Sequence, residues 1–305
     1  MTAKTSFFVI INPVSGNGKG KTIWQYIKPK LNQRYTIQFA YSEYSKHEIE
    51  ITKAAIKNGF KHFIIIGGDG TLNNFINGVF GQKDIASSAI TFGVIPVGTG
   101  NDWVKTYNIP KNINKALQII INGHTNTQDV GCISYSNNLL PNSYFINLAG
   151  VGYDGLVVNL VKDNRSYGKF TYVLGAIKGL SNVKLFDVTI TKNKDVLQYT
   201  NCFMIQIGLC KYTGSSMRLT KQPDPKDGLF DITVAVNLTK WDVIRNLLKL
   251  FNGQIVNHKK VKTFKTKRLI LNFEDPKPFI QADGEQLATD NIEVTILPNT
   301  IRFYC

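Results

Sequence analysis

The sequence has no apolar run approaching the roughly 18 to 20 residues that a bilayer-spanning helix requires, which argues against a helical membrane protein. Its N-terminus enters an apolar segment at Ser6 without the pattern of a secretory leader, so a cytoplasmic protein is expected. Cysteine is scarce. Cys132, Cys202, Cys210 and Cys305 have neither the close spacing of a metal site nor the density of a disulfide scaffold, and they are read as packing residues. The scattered His47, His62, His124 and His258 form no HxxxH or HExxH pattern, which argues against a zinc site. Acidic residues are in the minority, 21 against 36 basic ones, for a net charge of +15. An excess of that size suggests a polyanionic partner: nucleic acid, an anionic membrane surface or a highly charged small substrate. No nucleic-acid recognition motif accompanies it, so nucleic acid is not expected. Internal repeats and low-complexity segments are also missing.

What is present is enough material for two domains: 305 residues, 43% hydrophobic and 11% aromatic. The first 125 residues alternate in type. Strands are expected at Phe7 to Ile11, Thr36 to Ala40, Phe63 to Ile66 and Ile90 to Ile95, with helices near Lys21 to Leu31, Lys46 to Asn58, from Thr71, and near Ile113 to Ile121. Such alternation predicts a parallel sheet with helices on its faces, which binds ligands at the carboxyl ends of its strands. After Asn122-Gly123 the pattern turns to strands: Asn126 to Tyr135, Ser143 to Ala149, Lys184 to Thr191, Cys202 to Leu209, Leu229 to Val236 and Val261 to Phe273. Helical stretches interrupt them at Tyr153 to Val161, Phe170 to Leu180 and Trp241 to Phe251. The expected organisation is a domain over 1–125 and a mostly β domain over 126–297.

Three glycine-rich turns each follow a predicted strand of the first domain: NPVSGNGKG (12–20), GGDGT (67–71) and PVGTGND (96–102). One such turn alone has only conformational meaning. Three at one sheet edge would gather backbone amides, Lys19, Thr71, Thr99, Asn101, Asp69 and Asp102 around one crevice suited to phosphate. None fits GxxxxGK[ST] or GxGxxG. Asp69 also has a purely local reading as a turn or cap residue, as do Thr99 and Asp102.

These turns, read as NPVSGNGKG, GGDGTLNNFING and PVGTGNDWVK, resemble the ordered motif set of the diacylglycerol kinase catalytic-domain family, which includes sphingosine and ceramide kinases. The likeness continues with GVGYDG (150–155), PDPKDGLFDI (223–232) and QADGEQL (281–287), so it spans nearly the whole chain. It implies an α/β nucleotide-binding domain, a C-terminal β-sandwich domain and a last strand, TIRFYC within 298–305, returning to the first domain. It implies ATP and Mg²⁺ as cofactors and a lipid hydroxyl as acceptor. Carried over to this chain, nucleotide contacts fall on Asn12, Ser42, Gly67, Gly68, Asp69, Gly70, Thr71, Leu72, Asn73 and Thr99, with Asp69 near magnesium. Glu285 matches the catalytic base, for which a carboxylate within reach of the acceptor hydroxyl suffices. Asp224, Asp227 and Leu229 match a structural magnesium loop built of hard oxygen ligands. One position departs: the pattern GGDGTxxE has a glutamate where this chain has Asn74, and an amide cannot supply charge. Asp102 is the candidate for restoring it.

Lys259, Lys260, Lys262, Lys265, Lys267 and Arg268 alternate with Val261 and Phe264 and read either as an anionic-membrane contact or as a charged strand edge. Arg165, Lys169 and Tyr172 are candidates for holding phosphate or head groups. The expected partners are a lipid substrate at an anionic membrane surface and ATP, with peripheral membrane association; a homodimer is left open. Two other readings stand beside the lipid kinase: an NAD kinase, which shares GGDGT, and a non-catalytic nucleotide-binding regulator.

Overall fold

The computed structural model describes residues 4–98, 100–137, 139–161 and 179–305. Two compact units divide the chain, Met1–Gln128 with Asn299–Cys305, and Asp129–Pro298.

In the first unit, strands β1 (Ser6–Ile11), β2 (Thr36–Tyr41), β3 (His62–Gly67) and β4 (Thr91–Pro96) pair in parallel in the order β2-β1-β3-β4. Helices α1 (Ser15–Asn32), α2 (His47–Lys57), α3 (Asp69–Phe80), α4 (Asp102–Thr106) and α5 (Ile113–Asn122) connect and cover them. Phe63, Ile64, Ile65 and Ile66 are wholly buried, as a strand covered on both faces requires. The helices bury one stripe each, Trp24, Ile27 and Leu31 on α1 and Leu72, Phe75, Ile76 and Val79 on α3. Asn112 caps α5 by accepting from the Lys115 N–H, and Gly123 ends it with φ 76°. The chain's last strand adds Arg302 and Phe303 in parallel beside Thr91 and Phe92. There the Phe303 ring lies 4.9 Å from Trp103 and 4.4 Å from Tyr107.

The described strands of the second unit are antiparallel. After β5 (Thr125–Tyr135) come β6 (Ser143–Phe145), β7 (Leu148–Gly152), helix α6 (Tyr153–Val161), β8 (Phe186–Lys192), β9 (Asp195–Gly208) and β10 (Phe230–Val236). They are followed by helices α7 (Lys240–Arg245) and α8 (Lys249–Asn252) and strands β11 (Val261–Thr266), β12 (Arg268–Phe273), β13 (Ile280–Ala282), β14 (Glu285–Leu287) and β15 (Ile292–Tyr304). β9 pairs β8 along its first half and lies between β7 and β10 along its second. The core gathers Phe145, Ile205, Ile207, Phe230, Ile232, Leu269, Leu271, Ile292 and Val294, alternate residues of many strands.

Three expected elements are divided. Ser143 to Ala149 breaks at Ile146-Asn147, whose N–H groups turn to the Asp283 carboxylate instead of a neighbouring strand. Val261 to Phe273 breaks at Lys267, so that β11 pairs β10 while β12 pairs β8 and β15. Trp241 to Phe251 becomes α7 and α8, joined by a turn over 246–248. The expected strand from Cys202 begins earlier, at Asp195. Most of the helix expected at Phe170 to Leu180 lies outside the described residues, as do Thr99, Arg165, Lys169 and Tyr172.

Candidate functional site

The carboxyl ends of β1, β3 and β4 bring the three glycine turns into contact. A Cβ on Gly98 would stand 2.6 Å from Gly68 Cα, so the second and third turns meet backbone to backbone. Gly16, at φ 61°, lies against the Val97 carbonyl oxygen and joins the first turn to the third. Around Gly70, by contrast, a Cβ would meet nothing within 4 Å. The N-cap of α3 is Gly68, which has no side chain to cap the helix, and a helix start of this kind favours an anion.

Beneath these turns is a polar network. Asn12 follows β1 and donates from Nδ2 to Thr71 Oγ1 at 3.0 Å and to Glu48 Oε1 at 3.3 Å, while its Oδ1 accepts from the Val14 N–H at 3.2 Å. Asn74 donates from Nδ2 to Glu48 Oε2 at 2.9 Å. Glu48, on α2, is 2% exposed. A buried carboxylate thus links the NPVSG turn to the GGDGT helix, its two oxygens held by two amides. Sequence reasoning missed Glu48. The available signal was its register: Glu48 shares a helix face with Ile51, Thr52 and Ala55, and a glutamate on a buried face requires partners.

Asp69 accepts from the backbone N–H groups of Asp102 at 3.1 Å and Trp103 at 3.2 Å. Its carboxylate caps the start of α4 and ties the second glycine turn to the third. Asp102 forms an ion pair with Lys105 at 2.7 Å, and the carboxylate that Asn74 donates to is Glu48. Ser42, 8% exposed, donates its N–H to the Ile11 carbonyl and stands at the end of β2 beside the Asn12 turn. Thr71 and Asn73 are each 4% exposed. Leu72 points into the core and spends its N–H on the Gly68 carbonyl, so it shapes the turn without touching a ligand by side chain. Gly67 leaves room for Thr71, whose Cβ would lie 2.5 Å from a side chain added there.

In the second unit, Glu285 opens β14 opposite Ala282 and is half-buried. Asp283 and Gly284 form the tight turn before it, with φ 48° and 83°. The Asp283 carboxylate accepts three backbone N–H groups, from Ile146, Asn147 and Leu148, at 2.8, 2.9 and 3.0 Å. Asp283 is therefore a pin that fixes the hairpin carrying Glu285. A second pin links the GVGYDG and QADGEQL motifs: Gln281 donates to Asp154 and accepts from the Gly284 N–H at 2.9 Å. Burial pushes the Asp154 carboxyl up, with hydrogen bonds from Gln281 and Gln206 opposing it. A cavity of about 250 Å³, lined by Leu156, Leu185, Phe186 and Phe279 and also by Lys184 and Lys277, adjoins the strand that leads into this hairpin.

The loop over 224–229 is closed by internal partners. Asp227 accepts from the Leu229 N–H at 3.0 Å and pairs with Lys265 at 2.8 Å, while Asp224 Oδ1 accepts from the Lys226 N–H at 3.0 Å. The Asp227 carboxylate, which the resemblance implies as a magnesium ligand together with the backbone oxygens of Asp224 and Leu229, is paired with the Lys265 ammonium at 2.8 Å. Within the basic segment, Lys260 pairs with Asp242, Lys265 with Asp227 and Arg268 with Glu293. That occupies half of the six cations read as a membrane contact. Nucleotide phosphates do fit the first unit, given the open space at Gly70 and the glycine start of α3. No three His, Cys, Asp or Glu side chains gather as metal ligands among the described residues. A magnesium ion there would keep phosphate and water oxygens as most of its ligands, as Mg²⁺ commonly does.

Glycine turns packed backbone to backbone in an α/β unit, with a carboxylate hairpin in an antiparallel unit of the same chain, are the arrangement of a kinase-like enzyme. Residues 6–133 match the diacylglycerol kinase catalytic domain, and residues 147–305 match the YegS C-terminal NAD kinase beta sandwich-like domain. The chain belongs to the diacylglycerol kinase catalytic-domain family, with an α/β N-terminal domain and a β-sandwich-like C-terminal one. It is 25% identical over 296 residues to a diacylglycerol kinase of Mycobacterium tuberculosis, covering 96% of this chain and 93% of that one. A diacylglycerol kinase of Staphylococcus carnosus is 27% identical over 285 residues, covering 91% and 87%. The crystal structure of a diacylglycerol kinase from Bacillus anthracis superposes with a TM-score of 0.74 at 21% identity over 100% of this chain and 98% of that one, a likeness of fold.

Proposed function

We propose that this protein is an ATP- and Mg²⁺-dependent lipid kinase that moves the γ-phosphoryl group of ATP onto a hydroxyl of diacylglycerol or a similar lipid at an anionic membrane surface. The observation that carries the reading is the meeting of three glycine turns at the ends of β1, β3 and β4, over the buried Glu48 network. The leading amides of α3 bind the phosphates, and Asn12 and Thr71 are held ready beside them. Glu285 takes the proton of the acceptor hydroxyl as that oxygen bonds to the γ-phosphorus and the bond to the bridging oxygen breaks, releasing ADP. Magnesium bound with the nucleotide would neutralise charge on the phosphate oxygens, with Asp69 the residue that the resemblance implies beside it. The cavity that adjoins the start of the Glu285 hairpin offers Leu156, Leu185, Phe186 and Phe279 to acyl carbons, with Lys184 and Lys277 also in its lining.

The test is incubation with γ-labelled ATP, Mg²⁺ and a panel of lipids in mixed micelles, with NAD as a separate acceptor. Label in one lipid class is expected. Label in NAD would move the protein to the NAD kinase reading, and ATP binding without transfer would make it a nucleotide-binding regulator.

A further inference from the structure

Four large apolar residues of the second unit face water together. Trp241, Ile244, Leu248 and Phe251 are 67%, 51%, 81% and 37% exposed. Their spacing of three, four and three residues sets side chains along one side of a helical path. The turn between α7 and α8 preserves that path, because Leu247, Lys249, Leu250 and Phe251 each donate an N–H three residues back. Single exposed apolar residues need no explanation, whereas a contiguous stripe marks a contact surface. The opposite side is fixed to the fold: Val243 packs on the core and Asn246 is 8% exposed. Thr239 and Asp242 form a capping box at the start of α7, and Asp242 is tied to Lys260 at 2.6 Å. The stripe is thus presented on an anchored element.

Its charge identifies the occupant. From Thr239 to Arg268 there are nine Lys and Arg residues and one acid, Asp242; Lys260 pairs with it, and Lys265 and Arg268 pair with Asp227 and Glu293 outside this stretch. Exposed Lys240, Arg245 and Lys249 interleave with the apolar side chains. A second copy of the chain would set cation against cation across this face. We propose that the Trp241–Phe251 stripe is an interfacial anchor that seats the protein on an anionic lipid bilayer, its apolar side chains at the acyl boundary and its lysines among the phosphates. The choice of a bilayer over a soluble acidic protein rests in part on the lipid-kinase reading.

Tryptophan fluorescence tests it directly. Trp24 and Trp103 are 1% and 0% exposed, so a change of emission caused by vesicles reports Trp241. The full chain is titrated, without ATP, with phosphatidylcholine vesicles and with vesicles also containing phosphatidylglycerol. Emission should move to shorter wavelength with the anionic vesicles, binding them about a hundredfold more tightly than the zwitterionic ones and less so as salt rises. Ile244→Ala/Leu248→Ala should weaken binding about tenfold, and Lys240→Glu/Lys249→Glu should remove the anionic preference. No emission change with either vesicle, or equal binding to both, overturns the proposal. A shift that follows protein concentration without vesicles, with a dimer mass, overturns it by assigning the face to a second copy. Because no turnover is read, failure here leaves the kinase reading standing, and vesicle binding by a protein that transfers no phosphate would separate the two in the other direction.

Discussion

The side-chain amide of Asn74 lies 2.9 Å from Glu48 Oε2. A carboxylate therefore stands in contact with the position that GGDGTxxE reserves for one, supplied from α2 instead of α3. Glu48→Gln should leave Asn12 and Thr71 poorly held and lower turnover about a hundredfold. Asn74→Glu alone should also lose activity and melting temperature, because it sets a second carboxylate against a buried one. The exchange Glu48→Gln/Asn74→Glu keeps one carboxylate and one amide in contact, and turnover should recover to near the wild-type value. A double variant no better than the worse single one contradicts this role.

Gly68 and Gly98 touch through their backbones, so Gly98→Ala forces the second and third turns apart. Overpacking of this kind costs about 1 to 3 kcal/mol. The melting temperature should fall, and the affinity for ATP should fall more than that of a surface variant of equal stability. Unchanged nucleotide affinity would dissociate the turns from phosphate binding.

Asp283 accepts three backbone N–H groups, from Ile146, Asn147 and Leu148. Asp283→Ala should cost at least about 1 to 3 kcal/mol, the loss expected when a donor is left unsatisfied. Asp283→Asn, which keeps one acceptor oxygen and tolerates the left-handed φ of 48°, should cost less. Chemical denaturation distinguishes them, and equal stability of the two variants would show that the carboxylate is not the pin.

Burial raises the Asp154 carboxyl above its ordinary 3.8. Between pH 3.8 and the higher folded value, the folded protein holds a proton that the unfolded chain has released. The stability this confers is complete below pH 3.8 and is lost as pH rises through the higher folded value. Asp154→Asn cannot ionise, so it should melt above the wild type at neutral pH, with the gap narrowing toward pH 4. A gap independent of pH would contradict the assignment.

Much of the first unit was legible, because buried runs such as Phe63 to Ile66 and stripes such as Trp24, Ile27 and Leu31 carry their structure in their periodicity. The second unit was less so. Whether Lys267 continues a strand or divides two depends on partners far along the chain, and the break at Ile146-Asn147 exists because Asp283, more than a hundred residues later, takes those N–H groups. At the site, glycine spacing announced the turns. The Glu48 contact did not appear in any motif, since it joins two helices, and the Lys265 pairing that closes the Asp227 loop is equally non-local. Local pattern names the turns, while tertiary contact decides what each carboxylate does.

The measurement that bears most directly on the account is the rate of phosphate transfer by Glu285→Gln, beside wild type, with the lipid acceptor that the wild type labels. A loss of about 10² to 10⁴ in turnover, with ATP affinity and melting temperature unchanged, is predicted for a residue that takes the acceptor proton. Full turnover in Glu285→Gln would contradict it.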